Sequence, residues 1–249
     1  MTVARLQRET LDLSGKGLTE VPESTLENAS LRVLNLHRNR LIAIPPEIGR
    51  LEGLEVLILA ENALTSLSEE IGRLTNLRTL DLGHNRLENL PRTFSKLKGL
   101  RDYLYLHDNR LTALDDGVFE GFGELRYLNL SGNAGLRLPG SIAKLNKLEE
   151  LRLEHLGLAS LPSWIGSLAS LEELSLRDNR LESLPDSFAE LHRLTRLDLR
   201  ANRFCSLPNV VRKLPNLTKL DLRWNLLESE FDGRQQWQDR KCRVLLGDR

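Results

Sequence analysis

The sequence has few of the residues that link secreted domains covalently. Cys205 and Cys242 are the two cysteines among 249 residues, and no clustered or paired spacing connects them. Small secreted domains depend on disulfide bonds, whereas cytosolic thiols stay reduced. The sequence therefore predicts a cytoplasmic chain whose two cysteines form no disulfide bond with each other, or a secreted chain only if a signal peptide has been removed.

Long apolar runs and net charge are also missing. No run approaches the roughly 18 apolar residues of a membrane-spanning helix, and residues 1–10 hold no apolar signal-peptide core. The 35 Lys and Arg residues balance 35 Asp and Glu residues. Because a nucleic-acid partner needs a basic field or a continuous basic face, we expect none. Basic residues outnumber acidic ones only from Arg196 onward, so an acidic partner would bind toward that end.

The short motifs of catalytic and phosphate-binding sites are absent as well. The chain contains no Gly-rich phosphate loop, no GxSxG, no HExxH and no CxxC. A dispersed catalytic set stays open at this stage, but a regular repeat leaves little room for a buried, preorganised site. We therefore expect a non-enzymatic chain without a cofactor.

Leucine, in contrast, recurs in a fixed pattern through most of the chain. The copy from Leu171 to Leu194 follows the template LxxLxLxxNxLxxLPxxIxxLxx. Its asparagine slot returns every 23 residues, apart from two steps of 24 residues. The slot is occupied in turn by Lys16, Asn39, Asn62, Asn85, Asn109, Asn133, Leu156, Asn179, Asn202 and Asn225. A fixed period of this length is typical of a solenoid, here of about ten repeats.

Each part of the template predicts a local structure. The alternation x-Leu-x-Leu-x has the period of a β-strand with the leucines in the core, and successive strands should stack into a parallel sheet. The asparagine should lie buried in a turn and bond backbone groups of adjacent coils. The Leu-Pro step should open a short α or 3₁₀ turn on the opposite side, with Ser68 and Asp115 as N-caps where proline is missing. The predicted fold class is therefore α/β, a curved solenoid with a concave parallel sheet and short convex turns.

Three positions depart from the template. Between Leu100 and Leu104 three residues replace two, which predicts a bulge before the fifth strand. The second long step should place its extra residue on the convex side, with Phe119 and Phe122 filling the core. Leu156 in an asparagine slot is interpreted as an apolar filling of the site, with a hinge as the alternative.

The repeats are expected to form one domain over residues 1–249, with the repeats themselves at 9–230. The open ends of a solenoid expose core and strand edges, so atypical caps are needed there. We predict an N-terminal cap at residues 1–8 and a C-terminal cap at 231–249. The C-terminal cap should consist of a polar helix followed by a strand from Cys242 to Leu246.

This repeat resembles the leucine-rich repeat family, in particular the 23-residue LPxxIxxL type of bacterial proteins and of plant and animal proteins that associate with Ras-like GTPases. The resemblance covers about residues 9–230 and implies a right-handed horseshoe. It also implies a protein partner, because members of this type act as signalling adaptors, some with Ras-like GTPases, or as bacterial effectors. Extracellular members usually carry clustered cysteine caps, which this sequence lacks.

The residues that alternate with the strand leucines should face outward on the concave side. They vary between repeats while the leucines do not, which is typical of a contact surface. An apolar patch is expected from Val33, Val56, Ile58 and Ala60. The predicted partner-binding residues form an aromatic centre and a basic column, namely Tyr103, Tyr105, Tyr127 and His107, then Arg152, Arg177, Arg200, Arg223 and Trp224. Three exposed tyrosines favour a protein or peptide partner, because tyrosine, tryptophan and arginine dominate binding hot spots.

The arginine column lies beside Asp178, Asp198 and Asp221, which leaves two interpretations open. The charges could form solvated ion pairs that keep the sheet soluble. Alternatively, the arginines could bind an acidic loop, a phosphate or a carboxylate of the partner.

Two histidines and an aspartate fall close enough in the repeat to approach one metal ion, and these are His84, His107 and Asp108. A complete ligand set and a supporting second shell are not evident in the sequence. We therefore expect polar surface histidines and no metal.

Taken together, these patterns predict a non-enzymatic scaffold or adaptor that binds a protein or peptide on its concave sheet, in signalling or as an effector-like protein. The alternative is a receptor or adhesion module that recognises a ligand outside the cell. Self-association through the exposed face or an uncovered sheet edge also stays open.

Overall fold

The computed structural model describes residues 9–227 and 242–246, which form one sheet of 11 parallel strands in the order of the sequence. The strands are β1 (Thr10–Asp12), β2 (Val33–Asn35), β3 (Val56–Ile58), β4 (Thr79–Asp81), β5 (Tyr103–Tyr105), β6 (Tyr127–Asn129), β7 (Glu150–Arg152), β8 (Glu173–Ser175), β9 (Arg196–Asp198), β10 (Lys219–Asp221) and β11 (Arg243–Leu245). Each strand pairs with the next so that equivalent leucines lie side by side, for example Leu57 with Leu80. The predicted solenoid is confirmed.

Short helices on the other side of the core return the chain to the next strand. The first connection contains α1 (Glu23–Leu26). Seven later connections contain 3₁₀ helices, at Pro46–Arg50, Glu69–Arg73, Arg92–Lys96, Gly140–Lys144, Ser163–Ser167, Asp186–Glu190 and Asn209–Lys213. A 3₁₀ helix rises about 2.0 Å per residue, against about 1.5 Å in an α-helix. It therefore crosses the width of a coil with fewer residues.

Proline precedes six of these seven 3₁₀ helices and acts as their N-cap. Its carbonyl accepts the first bond of the turn, as Pro45 does from the Ile48 N–H at 3.1 Å. Ser68 replaces proline before the helix Glu69–Arg73, and its Oγ accepts the Glu70 N–H at 3.2 Å. Asp115 makes the same kind of bond to Gly117, although only turns follow it. The N-cap predicted at Ser68 is therefore confirmed, whereas Asp115 caps a turn and not a helix.

A ladder of asparagine side chains joins the turns that follow the strands. In Asn109, Oδ1 accepts the Leu87 N–H at 2.9 Å, and Nδ2 donates to the carbonyls of Leu82 and Leu106 at 2.9 and 3.1 Å. Equivalent bonds are made by Asn39, Asn62, Asn85, Asn133, Asn179, Asn202 and Asn225. Each asparagine thus bonds its own turn and the coil before it, as predicted.

Leu156 interrupts this ladder without opening the core. Its side chain is buried. The Gly135 N–H, which an asparagine side chain would otherwise accept, donates to the backbone carbonyl of Leu156 at 2.9 Å. Core packing and a backbone bond therefore close the site, in agreement with the apolar interpretation.

Both irregular steps lie where the sequence places them. In regular coils the first strand residue and the residue before it donate to one carbonyl of the preceding coil. Before β5 the two donors are Arg101 and Asp102, both to Arg78, and pairing resumes with Tyr103 opposite Thr79. The extra residue therefore lies directly before the strand.

The second irregular step changes the convex side instead. Phe119 and Phe122 are fully buried, and their ring centroids lie 6.0 Å apart. Phe122 also contacts Phe94 of the preceding repeat at 5.9 Å. The longer segment is therefore filled by aromatic packing.

The residue before the asparagine slot of each repeat has a left-handed backbone. Its φ lies between 51° and 61° at Arg38, Glu61, His84, Asp108, His155, Asp178, Ala201 and Trp224, and glycine takes the position at Gly15 and Gly132. A residue with a Cβ loses about 1–2 kcal/mol in this conformation. The hydrogen bonds of the turn impose it nonetheless, although the repeat template predicts no left-handed residue there.

The ends of the solenoid are described in part. The strand predicted for the C-terminal cap is present as β11, which pairs with β10 so that Val244 lies opposite Leu220. The predicted N-terminal cap at residues 1–8 and the predicted cap helix lie outside the described residues. Among the helices of the described ranges, none combines the length and apolar character of a membrane span.

The asparagine ladder predicts a large loss of stability on truncation. Asn109→Ala should lower the free energy of unfolding by about 3 kcal/mol, because buried backbone groups of two coils lose their partners. Asn76→Ala is the matched control, since Asn76 is exposed and its side chain, within residues 9–227 and 242–246, bonds one group, the Glu52 carbonyl at 2.8 Å. It should lose less than about 1 kcal/mol in urea denaturation. Equal losses would show that the ladder is not a special source of stability.

The left-handed column predicts a stabilising substitution. Ala201→Gly should raise the free energy of unfolding by about 0.5–1 kcal/mol, because glycine adopts the φ of 51° without steric cost. Ala63 lies two residues after the column member Glu61 and has no left-handed backbone, so Ala63→Gly should lower the free energy of unfolding by a similar amount, because glycine there only adds freedom to the unfolded chain. Thermal and urea unfolding of both variants provide the measurement. A loss in both variants would contradict the strain at Ala201.

Candidate functional site

The strand residues that alternate with the leucines point away from the core and form the concave face. At its centre lies the aromatic cluster, which we define as Tyr103, Tyr105, Tyr127, His84 and His107. The three tyrosine rings pack with centroid separations of 4.8–6.0 Å. His107 contacts Tyr105 at 6.0 Å and His84 at 4.8 Å. These separations are those of favourable aromatic pairs.

The strand register explains why these rings meet. In strand β5, Tyr103 and Tyr105 lie on the concave face of the sheet, whereas Leu104 between them is buried in the core. Tyr127 opens β6 directly opposite Tyr103. The rings therefore stand on rigid backbone rather than on loops.

Exposure differs among the three tyrosines, and the expectation of three exposed rings is wrong. Tyr103 is 47% exposed, Tyr105 is intermediate and Tyr127 is only 9% exposed. The reason is lateral packing, since Tyr127 lies between the other two rings and the guanidinium of Arg152. Arg152 is 5.8 Å from the Tyr127 ring centre and is held by Glu150, whose Oε1 lies 2.6 Å from the Arg152 Nε.

This packing changes the acidity of the cluster. Burial raises the pKa of Tyr127 to about 12. Burial, followed by the negative charge of Asp81, also raises the pKa of Tyr105. Burial, followed by the neighbouring His84, lowers the pKa of His107. Tyr105, Tyr127 and His107 are thus uncharged at neutral pH.

The arginine column is largely neutralised within the chain. Arg200 forms a two-pronged ion pair with Asp198 of the same strand and lies 3.5 Å from Asp221 of the next strand. Arg223 forms the same two-pronged pair with Asp221, which is 3% exposed. Hydrogen bonds with these carboxylates raise the pKa of both arginines. The ion-pair interpretation describes these two arginines as they stand in the structure.

Arg177 and Trp224 differ from the rest of the column. Within the described part of the chain, no ion pair involves Arg177, which is half-buried. Trp224 is 60% exposed, and Arg223 lies 5.4 Å from its ring centre. These two side chains are therefore the members of the column that are available for contacts with another molecule.

An open groove of about 310 Å³ runs along the concave face beside the aromatic cluster. Its lining contains basic and acidic side chains of strands β7 to β10, among them Arg152, Glu154 and Arg200. The Oγ of Ser175 lies at the groove floor, buried and without a hydrogen-bond partner among the described residues. Further along, Val33, Val56 and Ile58 of the expected apolar patch are half-buried, and Ala60 is buried.

Comparison with families of known proteins gives three matches, all to leucine-rich repeats. The description "Leucine-rich repeat region" matches residues 119–232, and two further leucine-rich repeat descriptions match residues 52–102 and 30–51. A sequence search of the curated proteins gives no match.

Solved structures with similar folds come from bacteria and plants. A leucine-rich repeat protein of Leptospira interrogans is 37% identical with a TM-score of 0.87, over 94% of this chain and 59% of that one. The plant peptide hormone receptor RGFR1, in complex with RGF2, is 30% identical with a TM-score of 0.71, over 88% of this chain and 36% of the receptor. A TDR receptor is 25% identical with a TM-score of 0.81, over 96% and 42%. This chain thus spans between about a third and three-fifths of the length of these proteins.

The buried tyrosine predicts a particular alkaline behaviour. The pKa of Tyr127 is near 10 in an unfolded chain and about 12 in the folded protein. Its contribution to stability is therefore complete below pH 10 and is lost as the pH rises from 10 to 12. The urea concentration at the unfolding midpoint should fall between pH 9 and pH 11.5, and this fall should be smaller in Tyr127→Phe than in the wild type. The same fall in both proteins would contradict the assignment of the shift to Tyr127.

Proposed function

This chain belongs to the leucine-rich repeat family, and we propose from that premise that it is a non-enzymatic interaction module that binds a protein or peptide on its concave face. The observation that carries the proposal is the aromatic cluster. The exposed ring of Tyr103 packs against the rings of Tyr105 and Tyr127 at the middle of a long sheet. A repeat that builds only a scaffold has no need for three tyrosines at this place.

The physical properties of the cluster favour a partner with apolar or aromatic side chains. The rings are already packed against one another and stand on strands, so little side-chain entropy remains to be lost on binding. Tyrosine offers a large apolar surface with one polar atom, which is why it dominates hot spots. Arg177 and Trp224 would add contacts toward the C-terminal end.

Paired charges argue against affinity that depends on a strongly acidic partner. Arg200 and Arg223 already hold Asp198 and Asp221, so binding a carboxylate or phosphate would require these pairs to exchange. Such a contact would gain little net free energy. We therefore place the main contacts at the tyrosines.

An adaptor or effector-like role in the cytoplasm belongs to this proposal, in keeping with the two unclustered cysteines. The comparisons give no support for a Ras-like GTPase as the partner. The second candidate is a receptor for an extracellular ligand, because one similar structure is a plant receptor in complex with RGF2. The discriminating observation is whether the native protein is exported.

The first experiment is affinity capture from an extract of the source cells, with three immobilised forms of the chain. They are the wild type, Tyr103→Ser and Ile42→Ser. Ile42 is the matched control because it is 62% exposed and apolar but lies outside the strands. A partner of the concave face should be retained by the wild type and Ile42→Ser, and lost by Tyr103→Ser.

Calorimetry with the identified partner then tests the site quantitatively. Tyr103→Ser should weaken binding by a factor of about 30 or more, the effect of removing a hot-spot residue. Ile42→Ser should leave the affinity unchanged. A partner that binds wild type and Tyr103→Ser equally would place the contact surface elsewhere and overturn the concave-face proposal.

A further inference from the structure

The two histidines of the aromatic cluster lie close to Asp108, and all three side chains are able to coordinate a metal. His84 follows β4, and His107 and Asp108 follow β5, so they lie in adjacent coils. One ligand atom from each residue lies within 4.8 Å of the other two. The closest measured pair is His84 Nδ1 and Asp108 Oδ2, at 3.4 Å.

These separations suit a tetrahedral ion. Two ligands that each lie about 2.0–2.1 Å from zinc, at the tetrahedral angle, are roughly 3.3 Å apart. The His84–Asp108 pair already has this separation. Both side chains are about half exposed, and the ligand atom of His107 lies within 4.8 Å of each of theirs.

The fold also positions the His107 ring without a hydrogen bond to its Nδ1 among the described residues. The ring lies against Gly83, where a Cβ would fall 2.2 Å from the imidazole Cε1, so a larger residue would displace it. Nδ1 of His107 is buried and has no hydrogen-bond partner among the described residues. A buried polar atom without a partner is rare and unfavourable, and bound ions are one of its explanations.

We propose that His84, His107 and Asp108 bind one divalent transition-metal ion of the zinc class. Imidazole nitrogens with a single carboxylate suit zinc, nickel or copper, whereas magnesium and calcium take oxygen ligands. Three protein ligands leave one tetrahedral position for water or for a side chain of another molecule. The site shares His84 and His107 with the aromatic cluster, but metal binding is proposed in addition to the interaction function and does not rest on it.

A second His–Asp pair in the same repeat positions provides an internal control. His155 Nδ1 lies 2.7 Å from Asp178 Oδ2, as His84 faces Asp108. The residue before Asp178 is Arg177, so the second imidazole is missing there. His155→Asn therefore removes a similar surface pair without touching the proposed site.

The test is a Zn²⁺ titration of the tag-free chain by calorimetry at pH 7.5, in a Cys205→Ser background because that thiol is exposed. We expect one ion per chain, and a loss of affinity of about tenfold or more in both His84→Asn and Asp108→Asn. Asparagine is chosen because it tolerates the left-handed backbone of both positions. His155→Asn should bind as the wild type does, and Mg²⁺ should not bind.

A second readout identifies the coordination itself. Co²⁺ in place of Zn²⁺ should give the visible absorption of tetrahedral cobalt in the wild type and His155→Asn, and not in His84→Asn. No Zn²⁺ binding by the wild type, or equal affinity in the wild type, His84→Asn and Asp108→Asn, would overturn the proposal. Since no protein partner is present in either assay, failure here leaves the interaction function untouched.

Discussion

The solenoid depends on the side-chain amide of asparagine, because the turn after each strand has backbone groups that no sheet ladder reaches. The amide carries both a donor and an acceptor, so one residue serves two coils at once. Asn62 accepts from Leu41 of the preceding coil and donates to Leu36 there and to Leu59 in its own coil. In a fold where each repeat contacts only its neighbours, this bond links successive coils along the solenoid, except at Leu156, where a backbone bond replaces it.

The regular spacing in turn decides what the concave face presents. Strands in equal register align equivalent positions of successive repeats into columns, so Tyr103 and Tyr127 become direct neighbours although 24 residues separate them. The resulting cluster is formed before any partner arrives. Charges on the same face behave differently, because Arg200 and Arg223 pair with carboxylates two residues earlier in their own coils. The face therefore offers packed rings at its centre and mostly satisfied charges beside them.

Most of the architecture could be predicted from the sequence because it follows from the repeat itself. The strands, the asparagine bonds, the Ser68 cap and the extra residue before β5 all depend on local pattern and spacing. The specific assignment to the 23-residue LPxxIxxL type stays an interpretation.

Features that depend on side chains of neighbouring coils could not be predicted in the same way. The burial of Tyr127 results from the directions of three other side chains, which no spacing rule supplies. The left-handed backbone before each asparagine carries no consistent residue type, since Arg38, Ala201 and Trp224 all adopt it. Glycine at residues 15 and 132 was the only signal in the sequence that pointed to it.

The asparagine bonds run in one direction along the chain, and this gives the solenoid a polarity. Each coil receives the acceptor for its turn from the coil that follows it, as Phe204 does from Asn225 at 3.0 Å. A coil is therefore complete only when the next one has been added. During synthesis, which proceeds from the N-terminus, every newly emerged repeat would lock the one before it, so that folding advances vectorially and always leaves a single unfinished turn at the growing end.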